Sequence, residues 1–172
     1  FQAVARAVNL PIILYNVPGR TGCDLLNDTV VRLSQIDNIV AIKDATGDVE
    51  RGAALIEAVP DGFSVFSGDD ATALELMRRG GKGNVSVTAN IAAREMAAMC
   101  NLALAQDWEA ATEIDTRLSD LSHLLFSEAN PIPVKWAMAY RGMIEEGIRL
   151  PLTPLSGDCR APLEQAMETY FA

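Results

Sequence analysis

Short apolar runs alternate with longer amphipathic ones along the first part of the chain. "PIILYNV" from Pro11 is brief, apolar and rich in β-branched residues, which predicts a buried strand. "LLNDTVVRLSQI" from Leu25 spaces its apolar residues near 3.6, the helical period. The same pair recurs three more times. A strand "IVAIK" from Ile39 precedes a helix "VERGAALIEAV" from Val49, stopped by Pro60 and Gly62. A strand "FSVFSG" from Phe63 precedes a helix "ATALELMRRGG", whose last turn places Arg78 and Arg79 against the negative end of the helix dipole before glycine ends it. A strand "NVSVTA" from Asn84 precedes a helix "AAREMAAMCNLALAQ".

Strand–helix alternation predicts βαβ units, and therefore an α/β fold with a parallel sheet and right-handed crossovers. Past Asp107 the strand pattern stops. "WEAATEIDTRLSDLSHLLF" is a long amphipathic helix, "PVKWAMAYRGMI" is a second with Pro131 and Pro133 near its start, and "PLEQAMETYF" is a third. The expected division is thus 1–106 for the βα repeat and 107–172 for a helical region. Four βα units leave two open edges on an apolar parallel sheet, which parallel sheets normally cover. The repeat is either an open doubly wound sheet or half of a (β/α)8 barrel, and a whole barrel needs about 250 residues. The first residue is Phe1, and "QAVARAV" reads as the back half of a helix, so the chain is expected to be a piece of a longer protein; the half barrel is the favoured architecture.

Composition narrows the function. The 172 residues suffice for a sizeable core, and 49% apolar with 22% charged is ordinary globular usage. A net charge of −9 argues against a nucleic-acid surface, which needs clustered Lys and Arg. No apolar run approaches the ~20 residues of a membrane span. Cys23, Cys100 and Cys159 lie far apart, and the one histidine, His123, sits in a helix with apolar neighbours. No zinc site is expected, and the odd thiol count fits a reducing cytoplasm. Trp108 and Trp136 are read as helix-packing residues.

The chemistry concentrates at strand ends. Lys43 follows four apolar residues in "NIVAIKDATGD". Alternation puts Ile39, Ala41 and Lys43 on one face of the strand and Val40, Ile42 and Asp44 on the other. At the carboxyl end of a barrel strand, a lysine stands where active sites are built, and burial there favours the neutral amine that adds to a ketone. A lysine reaching from the strand end to solvent is the plain alternative. "VAIK" also occurs in kinases, but neither a glycine-rich loop nor the HRD and DFG signatures accompany it, and "GGKG" lacks the Ser or Thr of a P-loop. The preceding strand ends in "LYNVPGRTG". Tyr15 there can relay protons, or simply pack in the core, and the planar fork of Arg20 suits a carboxylate, or lies solvated at the surface. In "SGDD", Gly68 permits close backbone approach while Asp69 or Asp70 caps the next helix. Val85 and Ser86 reach the same rim on the fourth strand.

Taken in order, "LYNVPGRTG", "AIKDATGD", "FSGDD", "GNVSVTAN" and "NPIPVKW" resemble the dihydrodipicolinate synthase family of pyruvate-dependent class I aldolases. The resemblance runs over essentially the whole chain. It implies the second half of a (β/α)8 barrel, units five to eight, followed by helices. Lys43 matches the lysine that forms a Schiff base with pyruvate, Tyr15 the tyrosine of a proton relay, and Arg20 the arginine that holds the carboxylate of aspartate semialdehyde. Val85 matches a position whose carbonyl borders the pyruvate pocket, and Gly68 lines that pocket. The implied partners are pyruvate and aspartate semialdehyde, with no metal or organic cofactor, and a homo-oligomer, tetrameric in the family. The family's first four strands carry a threonine pair of the relay, a tyrosine from a dimer partner and most of a lysine-feedback site, so this chain alone is expected to be inactive. The sister N-acetylneuraminate lyases and keto-deoxy sugar acid aldolases share the Tyr and Lys; the arrangement around Arg20 separates them. A non-enzymatic half-barrel module is the further alternative.

Overall fold

The computed structural model describes residues 1–171, which gather into two compact units meeting in sequence at Val85 and Ser86. In the first unit, helix α1 (Gln2–Ala7) leads into strand β1 (Ile12–Asn16), the short helix α2 (Pro18–Thr21) and α3 (Asn27–Leu33). Strand β2 (Ile39–Asp44), α4 (Val49–Ala58), β3 (Ser64–Ser67), a 3-10 turn at Asp70–Thr72 and α5 (Ala73–Arg78) follow. The strands form one parallel sheet in the order β1-β2-β3, as the alternating pattern predicts. Asp48 caps α4 through its carboxylate, which accepts the Arg51 N–H at 3.0 Å. Of the two aspartates proposed as caps before the third helix of the repeat, Asp69 does the work, accepting the N–H of Thr72 at 3.1 Å.

One face of the sheet buries Leu14, Ile42 and Val65 against Val30, Leu33, Leu55 and Leu76 of the helices. These residues are all but excluded from water, so each buried methylene contributes on the order of 0.8 kcal/mol. Ile42→Val is expected to cost about 1 kcal/mol, read as a lower urea midpoint at unchanged m-value.

Ile39 does not share the Lys43 face as simple alternation predicts; it joins the helix-side core with Ile42. The pairing explains this. Ile12 lies opposite Ile39 while Ile13 lies opposite Ala41, so Val40 is an extra residue on β2. Such a bulge flips the parity of everything before it.

The fourth predicted strand is also corrected. Around Asn84 the chain makes one bridge to Ser67 and three backbone bonds to the β3 region: Lys82 N–H to Val65 O, Ser67 N–H to Gly83 O, and Val85 N–H to Ser67 O. The Ser86 hydroxyl then accepts the Ala89 N–H at 2.9 Å, and the backbone turns into a 3-10 helix at Thr88–Asn90. A local side-chain bond competes successfully with a ladder that has only one neighbour.

The second unit is helical: α6 (Ala93–Leu104), α7 (Trp108–Leu124), α8 (Ile132–Tyr140) and α9 (Gly157–Phe171). α7 packs on α6 and α9, with Met96, Met99, Leu118, Leu121, Leu163 and Met167 buried. The buried hydroxyls of Thr88 and Ser122 satisfy each other at 2.9 Å. Trp136 stacks on Tyr140 with ring centroids 5.3 Å apart, a packing role, and His123 is exposed on α7. α9 starts at Gly157, ahead of the predicted start at Pro162, which it accommodates inside its length. None of the described helices is long and apolar enough to cross a membrane.

Candidate active site

The carboxyl end of β2 is the middle of the sheet, and Lys43 stands there with a neighbour on each side. Tyr15 of β1 and Phe66 of β3 are its register partners. The face they share is the one turned away from the helices. Ile13 and Tyr15 are 56% and 50% exposed on it, so this apolar surface is open within the described unit. Lys43 itself is half-buried, less enclosed than the run of apolar residues before it suggests.

The Lys43 ammonium nitrogen lies over the Tyr15 ring, 4.3 Å from its centroid. A cation over an aromatic face gains on the order of 0.5–1 kcal/mol when exposed. No carboxylate forms an ion pair with Lys43 among the described residues. The adjacent Asp44 points to the helix side, where its carboxylate accepts the Thr46 N–H at 3.2 Å and the Thr46 hydroxyl at 3.1 Å. Burial pushes the Asp44 carboxyl above its usual range, against the lowering effect of those two bonds.

Gly68 closes the site from β3's end. A Cβ there would lie 2.6 Å from Lys43 Cε and 2.8 Å from Ala45 Cβ, so the lysine stem occupies the space that any side chain at Gly68 would need. Val85 is 47% exposed and bonds through its N–H to Ser67 O, next to Gly68 in sequence. Tyr15, Lys43 and Gly68 are therefore brought into direct contact, and Val85 is held beside them by its backbone. Arg20 lies on exposed α2, four residues past the end of β1.

A polar network that local sequence patterns do not reveal organises the loop carrying Arg20. Asn16, buried at the last position of β1, donates to Asp24 at 2.9 Å and accepts the Leu25 N–H at 3.0 Å. Arg51 of α4 grips Asp24 bidentately, at 2.7 and 2.9 Å, and donates to Leu25 O at 2.9 Å. Asn27 donates to Arg51 O at 2.9 Å. Arg51, followed by the amide of Asn16, holds the Asp24 carboxyl below the usual carboxylate range. This network also moves a helix start: the amphipathic run from Leu25 becomes helical only at Asn27, because Asp24 and Leu25 are drawn to Asn16 and Arg51. The partners sit far apart in sequence, beyond the reach of any capping or i,i+4 signature.

No group of three His, Cys, Asp or Glu side chains placed to hold a metal occurs among the described residues. The arrangement offers instead one primary amine at the end of a parallel strand, an aromatic hydroxyl on the next strand, and a glycine that leaves the amine room.

Residues 1–170 match the Dihydrodipicolinate synthetase family. The chain belongs to that family. It is similar to the 4-hydroxy-tetrahydrodipicolinate synthases of Pseudomonas aeruginosa, at 58% identity over 97% of the chain, and of Nitrosomonas europaea, at 57% over the same share. It spans 57% of the length of each of these relatives. Among solved structures it superposes on the chloride-inhibited dihydrodipicolinate synthase of Acinetobacter baumannii complexed with pyruvate. The TM-score is 0.96 at 56% identity, covering 99% of this chain and 58% of that one. A neighbour described as the first monomeric dihydrodipicolinate synthase variant matches at TM-score 0.96 and 33% identity, covering 99% of this chain and 58% of that one.

Proposed function

We propose that this chain carries the Schiff-base half of an aldolase active site that condenses pyruvate with L-aspartate 4-semialdehyde to 4-hydroxy-tetrahydrodipicolinate, in lysine and diaminopimelate biosynthesis. The observation that carries the reading is the contact of Lys43 with Tyr15 and Gly68 at the carboxyl end of the central strand. It is supported by family membership and by the closeness of the pyruvate-bound relative.

The Lys43 amine, in its neutral form, adds to the ketone of pyruvate and expels water, giving an iminium. The iminium draws electrons from the adjacent methyl group, which loses a proton to form an enamine. The enamine carbon attacks the aldehyde of the second substrate, whose oxygen takes a proton, and Tyr15 shuttles the protons. The amine of the adduct then adds to the iminium carbon and releases Lys43 as the ring closes. Arg20 binds the carboxylate of the aldehyde substrate, while Gly68 and the Val85 carbonyl border pyruvate. The electrophile is supplied by the lysine, so no metal or organic cofactor enters these steps.

We read 1–106 as half of a (β/α)8 barrel and 107–172 as the helical region beyond it, residue 172 lying outside the described residues. The numbering of the strands as units five to eight is supported by the helices α7 to α9, which follow without a further strand among the described residues. The protein is proposed to act in the cytoplasm, in keeping with three cysteines free of disulfides. A homo-oligomer of tetrameric form is the proposed assembly. Other half-barrel residues complete the relay, so the isolated chain is expected to be inactive.

Incubation with pyruvate and borohydride tests the reading. Reduction of an imine adds mass irreversibly, and peptide mapping is expected to place it on Lys43. An unmodified Lys43 in the folded family-length protein would instead favour a structural half-barrel module. Parallel turnover assays with aspartate semialdehyde, sialic acid and keto-deoxy sugar acids identify the second substrate.

A further inference from the structure

The segment between β1 and α3 is a closed loop whose two ends are tied by a single side chain. Asn16, where the loop leaves the sheet, bonds to Asp24 and to the backbone of Leu25, where the loop returns. Inside the loop, α2 ends at Gly22 in the left-handed conformation, φ 65°, and the Thr21 hydroxyl donates to Cys23 O at 2.8 Å. Arg20 lies within this loop, its N–H bonded to Val17 O at 3.0 Å, so where the loop ends are pinned bears on where Arg20 stands. The second pin is Arg51, which holds both oxygens of Asp24 and the carbonyl of Leu25 from a different element, α4. The Arg51 backbone is itself held, since its carbonyl accepts from Asn27 and its N–H is the capping partner of Asp48, and the Asn27 side-chain oxygen accepts from Arg51 Nε at 3.3 Å. A planar guanidinium gripping a carboxylate bidentately constrains direction as well as distance.

We propose that the Asp24–Arg51 pair, acting with Asn16, is a positioning device that sets where Arg20 is presented, and thereby governs recognition of the carboxylate-bearing aldehyde and not of pyruvate. The proposal rests on the aldolase reading for the identity of that substrate. Its physical basis is leverage. Pyruvate meets Lys43 at the end of β2 and Gly68 just past β3, to which neither Asp24 nor Arg51 hydrogen-bonds, while Arg20 stands on the loop that the pair closes. A displacement of about 1 Å at a group that orients substrate can cost up to about a hundredfold in rate.

The test uses the barrel of family length that contains this chain. Asp24→Asn keeps the shape and removes the charge; Arg51→Met keeps the stem and removes the fork. Each is expected to raise KM for aspartate semialdehyde about tenfold, while KM for pyruvate and the yield of borohydride-trapped adduct at Lys43 stay within about twofold. Arg51→Lys, which restores charge without the bidentate grip, should recover only part of the effect. In an Arg20→Ala background, Asp24→Asn should add little, because the group it positions is gone. Amide exchange at residues 19–22 should quicken in Asp24→Asn.

Equal rises in both KM values, unchanged KM values, or full additivity with Arg20→Ala would overturn the proposal. Absence of any Lys43 adduct in the unaltered protein would overturn the aldolase reading instead. In that case loop exchange still decides the clamp: unchanged exchange at 19–22 in Asp24→Asn removes it as a positioning device.

Discussion

Lys43→Arg is expected to abolish the pyruvate adduct and to lower kcat/KM by at least about 10³-fold, some 4 kcal/mol of transition-state stabilisation. The substitution isolates the chemistry from the packing. Arginine keeps a long apolar stem and a positive charge, so it can retain the contact over the Tyr15 ring, which lies 4.3 Å from the present ammonium. It also carries no available lone pair, because a guanidinium does not lose its proton in proteins. A ketone therefore meets a cation of similar reach that cannot add to it. Unfolding midpoints should stay near the original, since Lys43 is only half-buried and no carboxylate pairs with it among the described residues. Lys43→Met complements this by keeping the stem and dropping the charge; it too should lose the adduct. Steady-state kinetics with borohydride trapping decides the matter. An arginine variant that still traps pyruvate, or keeps activity within about tenfold of the original, would mean that another amine forms the imine.

The contrast between Lys43 and Arg51 shows what a linear sequence makes legible. Lys43 interrupts an apolar run at the predicted end of a strand, and Tyr15 ends the run before it, so both are visible from local pattern. Their register pairing then follows from two parallel strands of similar length. Three of the four expected strands form for the same reason: short runs rich in β-branched or aromatic residues, bounded by turn residues. The fourth does not extend because a strand's existence depends on its partners. Asn84 bridges Ser67 alone, and Ser86 diverts the chain into a turn. The bulge at Val40 is equally invisible, since it arises from the pairing of β2 with β1 and moves Ile39 to the opposite face from the one that alternation gives. Arg51 looks like a surface helix residue in "VERGAALIEAV". Only the fold brings it to Asp24, and only then does a solvated charge become the anchor of a loop.

Gly68→Val is expected to reduce kcat/KM about a hundredfold and to slow borohydride trapping of pyruvate in parallel. The space at Gly68 is already taken: an added Cβ would lie 2.6 Å from Lys43 Cε, 3.0 Å from Lys43 Cγ and 2.8 Å from Ala45 Cβ. The Ala45 contact cannot be relieved by a rotamer change, because that atom is fixed to backbone whose N–H bonds to Asn16 O at 2.9 Å. The lysine must give way, and a β-branched side chain with one preferred rotamer forces it further than alanine would. Gly68→Ala should accordingly show the same defect in weaker form. Because Gly68 N–H bonds to Asp44 O at 2.7 Å, the backbone at this position is itself held, so the strain is directed at the Lys43 stem. Overpacking of this kind costs about 1–3 kcal/mol of stability, which denaturation reports separately from the kinetics. The decisive comparison is the rate of adduct formation at equal folded fraction. If Gly68→Ala and Gly68→Val both form the Lys43 adduct as fast as the parent protein, the amine has another approach to its substrate, and the close packing at Gly68 does not govern it.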